Sequence, residues 1–139
     1  MTNYWLLVSD EETWVTLIKS GYWGLKKLWK RKSRKIKHGD KAVAYVKFFS
    51  AIFGTVEIIS DPYYDENVTE LGALQKYPIR FKIKPDIFLA EPITIRPLIK
   101  DLSFIRNKKK WYAYFQTSIR SISKQDFELI VAYLRRNLK

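Results

Sequence analysis

The residues of this chain best suited to chemistry are aromatic rings set among uncompensated cations. From Thr13 to Gly39 there is no Asp or Glu but there are nine Lys/Arg residues, and from Leu102 to Gln125 there is again no acid, with six. Trp23 and Trp29 lie in the first window, and Trp111 and Tyr112 in the second. Rings interleaved with ammonium and guanidinium groups suit unpaired nucleotides: a base stacks on a ring while the cations hold its phosphates. The expected phosphate contacts are Lys26, Lys27, Lys30, Arg31, Lys32, Arg34 and Lys35 in the first window and Lys108, Lys109 and Lys110 in the second. A Lys-rich solvated surface is the plainer reading, but such surfaces normally interleave Lys with Glu. A membrane-surface helix fits less well, because the cations from Lys26 to Lys37 occupy every face of a helical wheel.

The rest of the composition narrows the alternatives. Among 139 residues, 26 Lys+Arg oppose 14 Asp+Glu, for a net charge of +12. There is no Cys, so a disulfide framework, a thiol nucleophile and a thiolate metal site are excluded. With His38 as the one histidine, a His-based zinc site or a Ser-His-Asp triad has almost nothing to work with. Gly-rich phosphate loops and the nucleophile-elbow pentapeptide are absent. No catalytic residue, cofactor or metal ligand is therefore assigned. If the chain were a nuclease or a base-modifying enzyme, its acid or base would have to come from Asp61, Asp65, Glu66 or His38. A protein-interaction module using the basic surface against an acidic partner is a third reading. The start of the chain has no signal-peptide pattern and the most apolar stretch, 42–59, is broken by Lys47, Ser50, Gly54 and Glu57, so a soluble, cytoplasmic protein is expected.

These residues need a frame. Tyr4 to Val8 reads as a buried first strand. Ser9 with Glu12 forms a capping box for a helix carrying Trp14, Leu17 and Ile18, stopped by Gly21. Lys41 to Phe48 and Ile52 to Ile59 read as a hairpin around Ser50. Tyr77 to Ile87 alternates Tyr77, Ile79, Phe81 and Ile83 with Arg80, Lys82 and Lys84, as a half-buried antiparallel strand does. Ile93 to Ile95 reads as a short strand, and Pro97 opens a short helix. Ser123 caps a last helix with Phe127, Ile130, Val131 and Leu134 on one face. The expected class is α+β: one domain over 1–139, with a curled, mainly antiparallel sheet or small barrel and flanking helices.

The order of several short motifs carries a family resemblance. They are Tyr4-Trp5-Leu6, Trp14, Gly21-Tyr22-Trp23-Gly24, Lys37-His38-Gly39-Asp40-Lys41, Gly54-Thr55-Val56-Glu57, Pro62-Tyr63-Tyr64-Asp65, Tyr77-Pro78-Ile79-Arg80, Ile83-Lys84-Pro85 and Ile122-Ser123 before Asp126-Phe127. In this order the chain resembles the EVE domain family, a branch of the PUA-like superfamily related to YTH domains. The resemblance implies a pocket for a single base, which in YTH relatives is a methylated base held by aromatic rings. Trp23 resembles the first cage tryptophan of those relatives. Ser9 falls where they place a polar base contact, and it serves equally well as a helix cap. Gly24 and Leu25 stand where YTH domains carry small hydroxyl residues. The stretch 65–76 has no Trp, so a second ring has to come from Tyr63, Tyr64, Tyr77 or Trp111.

The resulting expectation is a non-catalytic module for RNA or DNA that takes one flipped or unpaired base, possibly modified. Its base-binding set is Ser9, Trp23 as floor, Gly24, Tyr45 as wall, and Trp111. A methyl group entering an apolar cage contributes about 0.8 kcal/mol. Stacking contributes about 1–3 kcal/mol per base but accepts every base. Affinity then comes mainly from charge and stacking, and the choice of base from a few polar groups.

Overall fold

The computed structural model describes residues 2–9, 20–47, 50–64 and 77–138. Its strands are β1 (Tyr4–Ser9), β2 (Tyr22–Leu25), β3 (Lys41–Val46), β4 (Ala51–Ile58), β5 (Tyr63–Tyr64), β6 (Ile79–Thr94) and β7 (Ile119–Ile122). They join in one sheet in the order β2-β6-β4-β3-β1-β7, with β5 also pairing β6. β1 and β3 run parallel and the other pairs antiparallel, so the sheet is mixed. It curls into a half-barrel. Among the described residues the α-helices with assigned bounds are α1 (Lys30–Ser33) and α2 (Lys124–Arg136). The α+β, PUA-like class expected from the sequence is the one observed.

Strand alternation builds two apolar layers, one on each face of the sheet. The inner layer holds Trp5 and Leu7 of β1, Trp23 and Leu25 of β2, Ala42 and Ala44 of β3, and Ile79 and Phe81 of β6. The outer layer holds Leu6, Val8, Val43 and Tyr45, covered by Phe115 and by Phe127, Ile130 and Leu134 of α2. α2 begins as expected, with the Ser123 hydroxyl accepting from the Asp126 amide at 3.1 Å.

The hairpin turns at Ser50, whose φ of 49° is tolerated at a tight turn. At Gly54 (φ 151°) a Cβ would lie 1.9 Å from the Ile87 carbonyl oxygen, so only glycine lets β4 and β6 approach there. The segments expected at 77–87 and 93–95 are one strand. Pro85 pairs with Val56 beside the register shift between Thr55 and Val56, the kind of irregularity where a strand admits proline. The short helix expected after Pro97 is a 3₁₀ turn, Arg96–Leu98.

Ser20 is helical and Gly21 has a φ of 76°, as a helix stop requires. The remainder of the helix expected after Ser9, including Trp14, and the loop expected at 66–76 lie outside the described residues. The Ser9 hydroxyl has no hydrogen-bond partner; Glu12, the other half of the expected capping box, lies outside the described residues. Among the described residues, no helix is long and apolar enough to cross a membrane.

Candidate nucleic-acid interface

The first basic window follows β2 as a 3₁₀ turn, Lys27–Trp29, and then α1. Lys26, Lys27, Lys30, Arg31, Arg34, Lys35 and Lys37 are exposed. Lys32 differs. Its Nζ donates to the Ile119 carbonyl at 3.3 Å and lies 5.5 Å from the Trp29 ring centroid. Partial burial, then the charges of Arg120 and Lys35, hold its pKa below the ordinary lysine value.

The window is pinned at its end. Ile36 is buried in the inner layer, and the Lys37 amide donates to Asp40 Oδ2 at 2.9 Å. The buried Asp40 carboxylate also accepts from Trp5 Nε1 at 3.0 Å and from the Asn3 amide at 2.9 Å. Asp40 thus ties the basic segment to the start of β1. Its neighbour His38 is exposed, with its amide donating to Asp61 Oδ1 at 2.9 Å. Two of the residues weighed as acid or base therefore brace this turn, while Asp65 and Glu66 lie outside the described residues.

Beside the window opens a cleft of about 410 Å³. It is lined by the cations Lys30, Arg34 and Lys37, by Tyr63 and Tyr64, and by Ile36 and Ile79. Tyr63 and Tyr64 are 40% and 41% exposed, and Lys30 Nζ lies 5.4 Å from the Tyr64 ring centroid. Tyr64 pairs with Ile79 and so shares its face, whereas Tyr63 pairs with Arg80 on the other. This cleft was not legible in the sequence beyond the Tyr63-Tyr64 doublet itself.

Arg80 departs from its expected solvent-facing place: it is 2% exposed. β6 has a strand on each side here, with Gly24 of β2 and Tyr63 of β5 both opposite Arg80. Arg80 Nε donates to the Tyr77 carbonyl at 3.3 Å. Gly24 is therefore a buried strand residue whose missing side chain leaves room opposite a guanidinium.

The second window is used differently. Lys108 Nζ donates to the carbonyls of Ile99 and Leu102, each at 3.0 Å, and so closes a turn. The amides of Lys109 and Lys110 donate to Asn107 Oδ1 at 3.1 and 3.2 Å, leaving their side chains exposed. Trp111 packs against the outer layer, with the Arg96 guanidinium 5.6 Å from its ring centroid.

The expected base-binding set is consequently divided. Trp23 lies in the inner layer at 1% exposure, and Ser9, by alternation with Trp5 and Leu7, faces the same side. Tyr45 lies in the outer layer, stacked on Phe115 with centroids 4.3 Å apart. Tyr45 therefore does not wall a pocket floored by Trp23, because the sheet separates them. Trp111 is on the Tyr45 side too. What remains on the Trp23 side is Ser9, 8% exposed, its hydroxyl unpartnered. A buried hydroxyl without a partner costs about 1–3 kcal/mol.

Comparison with known proteins agrees with this architecture. UPF0310 protein PH1033 of Pyrococcus horikoshii is 35% identical over 141 aligned residues, covering 92% of this chain and 96% of that one. The Pho92 YTH domain, solved in complex with m6A, superposes with a TM-score of 0.72 at 20% identity, covering 99% of this chain and 86% of that one. The YTH domain of Zygosaccharomyces rouxii MRB1, solved with N6-methyladenosine RNA, gives 0.70 at 14% identity, covering 99% and 87%. The EVE domain family matches residues 3–133, and with this sheet order and the Pyrococcus relative the chain belongs to that family.

Proposed function

We propose that the protein is a non-catalytic nucleic-acid-binding module that holds an unpaired strand of RNA or DNA and takes one flipped base at Trp23 and Ser9. The observation that carries the reading is the buried, unpartnered Ser9 hydroxyl on the Trp23 face of the sheet. A buried hydroxyl without a protein partner at a strand end is available to a ligand's polar edge. The exposed cations of the first window supply phosphate attraction, which is insensitive to sequence. The fold shared with YTH domains solved with m6A or N6-methyladenosine RNA supports a base, plain or methylated, as the ligand. Because Trp23 is covered in the free protein, this reading requires the inner layer to open as the base enters.

Replacing Trp23 by Ala is a poor test, since emptying a buried Trp site costs about 3–5 kcal/mol of fold stability. Ser9→Ala is the clean one. It removes an unsatisfied group, so stability should hold or rise. Affinity for the preferred base should fall about 2- to 12-fold, the worth of one hydrogen bond, with backbone affinity unchanged. Titration of labelled single strands differing in one base, beside chemical denaturation, reads both. Unchanged base preference in Ser9→Ala would show that the hydroxyl is not a base contact.

A further inference from the structure

We infer that the cleft between α1 and β5 is a second nucleotide subsite, which stacks a neighbouring unpaired base on Tyr64 while Lys30, Arg34 and Lys37 hold the phosphates on either side of it. The inference rests on the nucleic-acid reading above and adds a second contact point to it.

The cleft joins an exposed ring to exposed cations, whereas Trp23 is buried. It is open, with a volume of about 410 Å³, within the range of about 300–1,000 Å³ of small-ligand pockets. Buried Ile36 and Ile79 give it an apolar lining. Its aromatic wall is already exposed, so a base can stack without disturbing the core. Lys30 Nζ lies over the Tyr64 ring, 5.4 Å from its centroid, so a stacking base takes the opposite face or displaces the ammonium toward its phosphate. Among the described residues, three cations line the cleft against one carboxylate, Asp61, which already accepts from the His38 amide. An anion with an attached flat ring complements that wall.

Position separates this subsite from Ser9. Lys37 and Asp61 belong to the turn that Asp40 ties to Trp5 and Asn3, at the start of β1. Ser9 is the last residue of β1, paired with Val46, whereas Tyr4 pairs with Lys41. At about 3.3 Å per strand residue the two ends of β1 are roughly 16 Å apart. Neither Ser9 nor the buried Trp23 lines the cleft, so a base stacked on Tyr64 is a different nucleotide from one held at Ser9.

The test uses the full chain with Tyr64→Ala and Tyr64→Phe. Binding of a fluorescent single-stranded oligonucleotide is measured alongside that of a mononucleotide and a polyglutamate peptide. Tyr64→Ala should weaken the oligonucleotide about 5- to 150-fold, the range for losing one stacked base, without changing the salt slope or the preference read by Ser9→Ala. Tyr64→Phe should bind like the parent. A photoreactive base in the strand should cross-link to the peptide carrying Tyr64. Equal affinity of Tyr64→Ala and parent, with Ser9→Ala still altering base preference, overturns the subsite while sparing the parent reading. If the parent binds no strand at all, the nucleic-acid reading itself falls. Binding of polyglutamate with no binding of the oligonucleotide makes the cleft an acidic-peptide site and overturns the inference.

Discussion

In residues 26–37 most of the cations stand clear of the fold, whereas in 106–111 one of them is built into it. Both windows are acid-free and both border aromatic residues. The first is anchored by groups other than its exposed cations: the Lys37 amide on Asp40, and Ile36 in the inner layer. Lys30, Arg34 and Lys37 are thereby left to line a cleft. The second is anchored partly by its own ammonium, Lys108 closing the turn through two carbonyls, and its tryptophan packs on the outer layer. A charge run in a sequence is therefore not yet a binding surface. What anchors the segment decides how many of its charges are left for a ligand.

The contrast can be broken most severely at the anchor of the first window. Asp40→Ala strands three backbone and indole donors and should cost about 3–4 kcal/mol of stability by denaturant unfolding. A loss under 1 kcal/mol would mean the segment is held elsewhere. Next, the triple variant Lys30→Gln, Arg34→Gln, Lys37→Gln should flatten the single-strand salt slope by about two and weaken binding about a hundredfold near 0.1 M salt. Lys109→Gln with Lys110→Gln should move the slope less. Equal slopes in the two variants would erase the distinction between the windows.

Lys108→Met should behave in the opposite way, losing about 1–2 kcal/mol of stability while the salt slope stays put. The smallest effect belongs to Lys32, which, unlike the other described cations of the first window, is drawn partly inward. Its pKa is depressed by burial, then by Arg120 and Lys35, from an ordinary value of 10.5. Its charged form is thus disfavoured in the folded state, a penalty fully present at neutral pH. As pH rises from the depressed value toward 10.5, the folded state gives up its proton before the unfolded state does, and the penalty is relieved. Relative to Lys32→Met, the parent should gain stability over that alkaline window; a parallel pH dependence would place Lys32 in open solvent.

Much of the frame was legible from local signals. The apolar run of β1, the turn at Ser50, the alternation in β6 and the Ser123 cap each act within a few residues, so sequence shows them. β2 was not, because Gly21-Tyr22-Trp23-Gly24 reads as a permissive loop; pairing with Lys82 to Ile79 makes it a strand. β7 was likewise concealed in the second acid-free window. The candidate site was legible as a set of residue types but not as a place. Arg80 alternated correctly to the other face from Phe81, yet strands on both sides bury it.

Sequence alone determined the charge, the absence of cysteine, the two acid-free windows and the order of motifs that marks the family. It also determined the parity of each strand, since side chains alternate every residue. Only the tertiary structure decided which parity of one strand shares a layer with which parity of another. That is set by strand order and register, which are long-range. Trp23 and Tyr45 therefore fall on opposite faces of one sheet, and Tyr64, far along the chain, comes to face Lys30 across an open cleft.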